Sequence, residues 1–466
     1  MTAVQVDSSK LTHHPSFFCQ FPLALAKKLG ASPALPCFAA ILLSACAICC
    51  AHSAVRANIS FWLGLPTLQY RSRHERLDVV SPTAFFAFSQ GKFVHVLVTS
   101  DTLSGTWTYT RELVAGLVSR GVRVTLVSFG EIPLPQQTLW MDNLHGLEYR
   151  PTAFRLDWMD ECQQDFQESS GYLTALVKEL KPDLLHLNQL CYGSLPVAVP
   201  RVVVAHGDVL TWWKAVHGRE PEEDRWLRWY RDVVTRGLAM ASVAVAPSAW
   251  MRDTVRDCYT RAQYDTVIYN GRNPIFFNPY VGKDDSVLAV GKLLDAGKQV
   301  SLLTQHRHPL PVCIVGSDMP IHGSSRIPIR ADVKLAVDEM NVALKGPQTE
   351  SQLRTLYSRA SIYAATSRYE PFDMAAVEAA FSRCAIVAND IPAFREIWGD
   401  AVLYFHENDA ASLASAIRRL SGQPDLCRAY ANRAFQRARE CFTSKRMIDQ
   451  YMELYHSLLG TKRVAA

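Results

Sequence analysis

The sequence predicts an α/β protein whose parallel sheets are divided between two or three domains. The chain has 466 residues, which is too long for one ordinary domain. Short apolar runs punctuated by polar or small residues recur along it, as expected for parallel strands covered on both faces. Between Val94 and Val127 a strand pattern, a small-residue loop, a helix, a glycine and a second strand pattern follow one another, which is the order of a βαβ unit.

The composition excludes some classes of function. Apolar residues make up 48% of the chain and charged residues 20%, which predicts a globular protein with a sizeable core. The formal net charge is +5 and no block of Lys and Arg occurs, so we expect no nucleic-acid partner. The weak basic bias suits an enzyme that handles phosphates or works near an anionic membrane.

The 12 cysteines do not indicate a metal site. Cys46 and Cys49 have the C-x-x-C spacing, but they lie in an apolar run without a second pair or matching histidines. The seven cysteines from Cys162 to Cys441 show no disulfide framework. They are typical of reduced thiols in a cytoplasmic protein.

Residues 1–90 are expected to form a poorly defined N-terminal extension, with an apolar segment at about 35–51 that is just long enough for a short membrane span. Four interpretations stay open: a signal anchor, a cleaved signal peptide, a lipoprotein signal, or a start codon set too far upstream. Basic residues are slightly more numerous after this segment than before it, which favours a cytoplasmic C-terminal side. Peripheral or single-span membrane association on the cytoplasmic face is therefore an alternative to a purely cytoplasmic protein.

The first βαβ unit offers a candidate anion site. Its strand, Val94–Thr99, is followed by a loop and by a helix predicted over Trp107–Arg120. Gly105 in the loop would let a ligand approach the backbone, and the helix start would offer its amides to an anion. A simple tight turn is the alternative.

Further strands are predicted in the same domain, and polar residues follow them. His206 comes directly after Arg201–Ala205, where ligands collect in doubly wound sheets, although a lone histidine after a strand is more often structural. Trp212 and Trp213 could stack on a sugar ring or fill the core. The other strand candidates are Asp183–Leu187 and Ser242–Ala246.

A linker at Arg272–Asp285, rich in Asn, Pro and Gly, marks the predicted boundary to a second domain. The expected domains are 91–275 and 285–442, followed by a C-terminal helix and tail at 443–466. Strands are predicted at the following positions of the second domain: Val287–Leu293, Val312–Gly316, Val342–Gly346, Ala360–Thr366 and Ala385–Asn389.

The segment Thr366–Ala380 is the most informative one. Glu370 and Glu378 are separated by seven residues, and a helix is predicted over Met374–Phe381. The start of this helix would direct free amides at an anion, while Glu378 lies in an apolar setting in which a carboxylate needs a partner. These features suit a sugar nucleotide. The alternative is an ordinary helix with one acidic capping residue.

This segment resembles the E-x7-E signature of retaining glycosyltransferases of family 4, which have two facing Rossmann-like domains (the GT-B architecture). The resemblance extends over about Val94 to Leu459, with several separated motifs in the family order. It implies that Glu378 holds the donor ribose. It also implies that Glu370 and the backbone after it, Phe372, Asp373 and Met374, hold the transferred sugar. The last helix, expected over Ser444–Leu459, would cross back to the first domain.

Other motifs carry further roles by the same resemblance. Gly291-Lys292-Leu293 and Gly297-Lys298 resemble the family's G-R-L…K-G segment, whose basic residues grip the donor diphosphate. Lys292 stands where arginine is usual, and it supplies a point charge without arginine's fork. Gly105 would face the leaving phosphate and the acceptor, and His206 would contact a sugar. Asp373 stands where glycine is common, and capping of the helix is its simplest role.

The sequence therefore predicts a retaining glycosyltransferase that moves a sugar from a nucleotide-sugar donor to a saccharide, lipid or small-molecule acceptor. Such a role belongs to glycan or cell-envelope saccharide synthesis. No metal and no cofactor beyond the co-substrate are expected. The predicted catalytic residues are Lys298, Lys292, Glu370 and His206. Two alternatives stay open: a non-catalytic nucleotide-sugar-binding protein, and another GT-B enzyme such as a sugar-nucleotide epimerase or a phosphorylase.

Overall fold

The computed structural model describes residues 94–259, 264–317 and 340–464. The N-terminal extension, its apolar segment at 35–51 and the four interpretations of that segment lie outside these residues. Within them, no helix combines the length and apolar character that a membrane span requires.

The first sheet contains seven parallel strands in the order β3-β2-β1-β4-β5-β6-β7. The strands are β1 His95–Asp101, β2 Arg123–Phe129, β3 Leu147–Pro151, β4 Leu184–Leu187, β5 Arg201–Val204, β6 Val243–Ala246 and β7 Tyr264–Val267. The helices that connect them are α1 Thr106–Val118, α2 Pro135–Thr138, α3 Gln163–Leu180, α4 Val209–His217, α5 Arg225–Met240 and α6 Ala249–Cys258.

Alternating side chains of this sheet enter two separate cores. Val96 and Val98 of β1 pack with α1, whereas Leu97 faces α3, α5 and α6. Both faces are therefore covered, which explains why these strands are apolar throughout.

The second sheet contains six parallel strands in the order β10-β9-β8-β11-β12-β13. They are β8 Asp284–Val290, β9 Val312–Val315, β10 Val342–Leu344, β11 Ala360–Ala365, β12 Ala385–Asn389 and β13 Leu403–Phe405. The helices are α7 Glu350–Arg359, α8 Met374–Phe381, α9 Pro392–Trp398, α10 Ala410–Ser421, α11 Pro424–Cys441 and α12 Ser444–Val464.

The last helix, α12, returns to the first sheet. Met447, Ile448, Tyr451 and Tyr455 are buried in the same core as β1 and α1. Gly116 of α1 permits this approach, because a Cβ at that position would come within 1.9 Å of the Ile448 side chain. Two parallel-sheet α/β units with a returning C-terminal helix confirm the fold class predicted from the sequence.

Candidate active site

The carboxyl ends of the two sheets meet, and several side chains cross between them. Lys292, after β8, donates a hydrogen bond to the Leu103 carbonyl after β1, at 3.1 Å. The Ser248 hydroxyl, after β6, donates to the Pro371 carbonyl at 2.8 Å. Because ligands of doubly wound proteins bind outside the carboxyl ends of strands, the space between these loops is the candidate active site.

Lys298 and Glu370 form an ion pair at this boundary, with Nζ 2.5 Å from Oε2. Glu370 is buried and also accepts a hydrogen bond from Ser367 at 2.9 Å, whereas one third of the Lys298 side chain is exposed. Burial alone would lower the pKa of Lys298, but the charges of Glu370 and Asp373 outweigh it and raise that pKa. Lys298 is therefore a fixed cation that a ligand can reach.

Asp373 caps α8. Its Oδ1 accepts the Ala376 amide at 3.0 Å, so the expected capping role is what the structure shows. Burial, together with the nearby charge of Glu370, raises the pKa of Asp373 to about 7, while Lys298 opposes this shift. Near neutral pH the carboxyl group can thus carry a proton, which reduces the negative charge at the start of α8.

Phe372 and Met374 flank this cap. The Phe372 ring is buried against Phe442, with centroids 5.4 Å apart, and the Met374 amide donates to the Phe372 carbonyl at 3.1 Å. The side chain of Phe372 thus anchors the loop in the core, and any contact of Phe372 with a ligand would be through its backbone.

Lys292 is the second cation of the site. Burial lowers the pKa of its ammonium group, and the charges of Asp295 and Asp101 partly offset this effect. Gly291 beside it is closely packed, because a Cβ there would lie 3.3 Å from the Lys298 Cβ. Both predicted lysines therefore belong to one compact segment after β8.

The loop after β1 differs from the expected anion cradle. The carboxylate of Asp101 accepts the amides of Leu103 and Ser104 at 3.0 and 2.8 Å. Gly105 precedes α1, and a Cβ there would meet no described protein atom within 4 Å. The space above Gly105 is open, but two amides of this loop already bind a carboxylate of the protein.

His206 lies after β5 as expected. Its Nε2 is 2.9 Å from Asn188 Oδ1, and its ring lies 4.2 Å from that of Tyr109. Burial lowers the pKa of His206 to about 3, so the imidazole is neutral at physiological pH. It can orient an uncharged hydroxyl group, but it does not act as a cation.

Glu378 lies on α8, and its partner is Arg272. The Arg272 guanidinium Nε is 2.7 Å from Glu378 Oε1, and the Arg272 side chain is only 1% exposed. The sequence places Arg272 in the linker and gives it no role. Its signal was a charged residue directly after the Asn-Gly turn that closes the first domain.

Two further residues were missed from the sequence. Gln189 follows β4 and is 6% exposed, yet both polar atoms of its amide lack a hydrogen-bond partner among the residues that the structure describes. Glu396 of α9 binds the amides of Ala249 and Trp250 at 2.7 Å each, and so helps to cap α6 from the second domain. Gln189 carries the same signal that identified His206, a polar residue after an apolar strand.

Trp212 contacts the segment that contains Lys298. Its indole lies so close to Gly297 that a Cβ at this glycine would come within 2.7 Å of Nε1. The Trp213 ring packs against that of His217 at a tilt of 41°, with centroids 4.3 Å apart. Within residues 94–259, 264–317 and 340–464, no group of three or more metal-ligating side chains was found.

Two family models match adjacent parts of the chain. Residues 103–275 match Glycosyltransferase Family 4, and residues 278–437 match Glycosyl transferases group 1. The chain belongs to glycosyltransferase family 4. The resemblance noted in the sequence is therefore confirmed, and the protein is a glycosyltransferase.

Known relatives of this family 4 enzyme include a synthase and a mannosyltransferase. Alpha-maltose-1-phosphate synthase of Mycolicibacterium smegmatis is 27% identical over 310 residues, which are 59% of this chain and 76% of the relative. Lipopolysaccharide core biosynthesis mannosyltransferase LpcC of Rhizobium leguminosarum bv. viciae is 27% identical over 218 residues, or 42% of this chain and 61% of the relative.

Solved structures of glycosyltransferases share its fold. Sucrose-phosphate synthase from Thermosynechococcus elongatus has a TM-score of 0.65 at 18% identity, over 79% of this chain and 100% of that one. HepE of Anabaena, in complex with UDP and glucose, has a TM-score of 0.59 at 16% identity, over 78% and 100% of the two chains. At these identities the similarity establishes the GT-B fold and nothing finer.

Proposed function

We propose that this glycosyltransferase is a retaining, metal-independent enzyme that transfers a hexosyl group from a nucleotide-sugar donor to an acceptor hydroxyl. The observation that carries the proposal is the placement of two lysines after β8. Lys298 is paired with Glu370 beside the start of α8, and Lys292 lies at the boundary with the first sheet. Two cations next to a helix start are suited to a diphosphate.

The transfer exchanges one bond at the anomeric carbon for another. The bond to the donor phosphate oxygen breaks, and a bond to the acceptor oxygen forms on the same face of the sugar. The acceptor proton passes to the departing phosphate oxygen, so no protein nucleophile is required. Negative charge grows on the diphosphate, and fixed positive groups that face this charge stabilise the transition state.

Lys298 and Lys292 supply this positive charge from the chain itself, which is the basis for metal independence. In the free protein Glu370 neutralises Lys298. In the complex, its carboxylate would accept hydrogen bonds from hydroxyl groups of the transferred sugar. The raised pKa of Asp373, about 7, allows this carboxyl group to be protonated and neutral. A neutral Asp373 would not repel the donor phosphates.

The acceptor side is proposed to lie at the carboxyl edge of the first sheet. His206 is neutral and oriented by Asn188, so it is suited to position a hydroxyl group. The acceptor class is proposed to be a saccharide, a lipid or a small molecule. The name of the LpcC relative, which refers to lipopolysaccharide core biosynthesis, favours a saccharide of the cell envelope. Because sugar nucleotides are cytoplasmic compounds, we also propose that the enzyme acts in the cytoplasm.

The test is release of nucleotide from a panel of UDP-, GDP- and ADP-hexoses by the full chain, with and without a chelator. Release from one donor, unaffected by chelation and reduced about 100-fold or more by Lys298→Ala, is the expected result. Lys178→Ala, at an exposed site on α3, is the matched control. Once an acceptor is found, the anomeric configuration of the product by NMR tests retention.

Three results would contradict the proposal. Loss of activity on chelation would remove metal independence, and an inverted product would remove retention. Tight donor binding without release, even with a broad acceptor panel, would favour a non-catalytic nucleotide-sugar-binding protein.

A further inference from the structure

Arg272 lies where the chain crosses between the two sheets. Its amide donates to the Phe442 carbonyl, and the Ser444 amide donates to its own carbonyl, both at 2.9 Å. The linker that leaves the first sheet therefore runs beside the segment that leads into α12. The backbone of Arg272 is fixed by both crossings of the chain.

The guanidinium of Arg272 binds three carboxylates from three different helices. Glu112 of α1 lies 2.5 Å from Nη1, and Glu350 of α7 lies 3.2 Å from Nη2. Glu378 of α8 lies 2.7 Å from Nε, in an ion pair that lacks the geometry of a hydrogen bond. One planar side chain thus fixes helices of both sheets relative to each other, through a fork of donors that lysine lacks.

The charges in this cluster balance. Glu350 also pairs with Arg111, with one contact at 2.6 Å, and with Arg354 at 2.6 Å. The cluster therefore contains three arginines and three glutamates: Arg111, Arg272, Arg354, Glu112, Glu350 and Glu378. A buried guanidinium is tolerated only when it is paired, and removal of one partner leaves an uncompensated charge.

The pKa shifts of Glu350 and Arg272 agree with this balance of charges. Burial works to raise the pKa of Glu350, but the hydrogen bond and charge of Arg111, with the charges of Arg272 and Arg354, lower it to about 2. Burial lowers the pKa of Arg272, and its three carboxylates more than offset this effect. Glu350 and Arg272 therefore stay ionised across the physiological pH range, whereas burial raises the pKa of Glu112 against the opposing charges of Arg272 and Arg111.

Glu378 differs from the other carboxylates in its position. It lies on α8, whose start carries Asp373 and the neighbouring Glu370. Its side chain is 12% exposed, which lies between the 6% of Glu112 and the 37% of Glu350. The Arg272 contact is to Oε1, and a carboxylate can accept about four hydrogen bonds in all.

Building on the proposed function, we propose that Arg272 is a positioning residue for donor recognition: it fixes the Glu378 carboxylate in the orientation that binds the ribose hydroxyls of the nucleotide. The contact with Oε1 leaves acceptor positions on the same carboxylate for a diol. Because Arg272 also binds Glu112, this orientation is set by the first domain as well as by the second. Removal of Arg272 would leave Glu378 on the helix without this ion pair.

The test compares binding of nucleoside diphosphates with that of their 2′-deoxy and 3′-deoxy counterparts, measured by calorimetry on the full chain. The base is the one selected by the donor panel. The wild type is expected to bind the ribose form about tenfold more tightly, which is about 1.4 kcal/mol. In Arg272→Lys this preference is expected to fall below about twofold, as it should in Glu378→Gln.

Arg354→Lys is the matched control, because it makes the same substitution in the same cluster without a contact to Glu378. It should keep the tenfold preference. If Arg272→Lys fails to fold, the double variant Arg272→Met with Glu112→Gln removes one positive and one negative charge and keeps the cluster neutral. It should also lose the preference, whereas Glu112→Gln alone should retain most of it.

A purely structural role for Arg272 would change overall stability but not the ratio of the two affinities. An unchanged ratio in both Arg272 variants would therefore overturn the inference. A wild type that binds ribose and deoxyribose forms equally would overturn it too, and would leave the transferase proposal intact. If the wild type binds no nucleoside diphosphate at all, the proposed function itself fails, and this inference fails with it.

Discussion

The hydroxyl of Tyr369 lies 2.8 Å from the hydroxyl of Thr211, and it also accepts the Asp208 amide at 3.2 Å. Tyr369 directly precedes Glu370 in the second domain, whereas Asp208 and Thr211 begin helix α4 after the first sheet. The residue next to the proposed sugar-binding carboxylate is thus tied to the opposite domain. The position of Glu370 therefore depends on the contact between the two sheets.

Tyr369→Phe removes this tie while keeping the ring. It leaves the buried Asp208 amide without this acceptor, while the Thr211 hydroxyl keeps its hydrogen bond to the Asp208 carbonyl, so we expect a loss of about 1–2 kcal/mol in the free energy of unfolding. We also expect a lower kcat, because Glu370 would be less precisely placed. Urea unfolding and steady-state kinetics measure the two effects.

Tyr192→Phe is the control for this substitution. The Tyr192 hydroxyl is bonded to Ser169 at 2.8 Å, and both residues belong to the first domain. A similar loss of stability with unchanged kcat is expected. Equal losses of kcat in the two variants would show that the tie between the domains has no catalytic importance.

Lys292→Met tests whether this lysine is present for function at the expense of stability. Its ammonium group is half-buried, burial lowers its pKa, and it donates a hydrogen bond to the Leu103 carbonyl, so the unfolding free energy should stay equal or rise. Nucleotide release should fall about 10- to 100-fold, because a positive charge at the diphosphate is lost. Thermal unfolding and donor turnover provide the two measurements.

Lys283→Met is the contrasting variant. Burial also lowers the pKa of Lys283, but its ammonium group donates to the carbonyls of Tyr357 and Ser382, at 3.1 and 2.6 Å. Its loss should destabilise the protein by about 1–3 kcal/mol. If Lys292→Met is destabilised as strongly, the lysine has a structural role and its proposed function in the site is weakened.

Much of the fold could be predicted because the inner strands are short and continuously apolar. The strand expected at Ala360–Thr366 is β11, Ala360–Ala365, and the helix expected at Met374–Phe381 is α8. Strand β3, Leu147–Pro151, was missed because it is an edge strand that carries Glu148, Arg150 and a proline. Strand β13, Leu403–Phe405, was missed as well.

The site was predictable where it depends on strand ends, and not where it depends on distant helices. Lys298 and Glu370 follow β8 and β11, which are neighbours in the sheet, so their proximity follows from the topology. The contact of Arg272 with Glu112 joins residues 160 positions apart, through helix packing. A contact of this kind cannot be predicted from local sequence, so Arg272 was assigned only to the linker.

Asp373→Asn should change how stability depends on pH. The pKa of this carboxyl group is 3.8 in the unfolded chain and about 7 in the fold, so the folded state binds more protons between these values. Stability contributed by this group is therefore present at low pH and lost as pH rises through about 4 to 7. Asparagine keeps the cap and never ionises. The free energy of unfolding of the variant should therefore increase relative to that of the wild type as pH rises, by on the order of a few kcal/mol at pH 8.

Urea unfolding of both proteins at several pH values between 4 and 8 gives this difference directly. Asp409→Asn is the control, because Asp409 caps α10 through the amides of Ala411 and Ser412 at an exposed position. It measures the effect of the same chemical change without burial. A difference between Asp373→Asn and wild type that is the same at every pH would contradict the raised pKa.

Gln189→Met tests whether the buried amide of Gln189 forms hydrogen bonds with a ligand. Both polar atoms of Gln189 lack a partner among the described residues, and a buried unpaired amide costs about 1–3 kcal/mol. Methionine has a similar shape without this cost, so the unfolding free energy should stay equal or rise. Because Gln189 follows β4 beside Asn188, on the side proposed for the acceptor, the acceptor KM should rise about tenfold or more while donor binding is unchanged.

Gln423→Met is the control, because it makes the same change at an exposed position, and it should alter neither the unfolding free energy nor the acceptor KM. A clear loss of stability in Gln189→Met would show that the amide is already satisfied in solution, and that it is part of the fold rather than of the acceptor site.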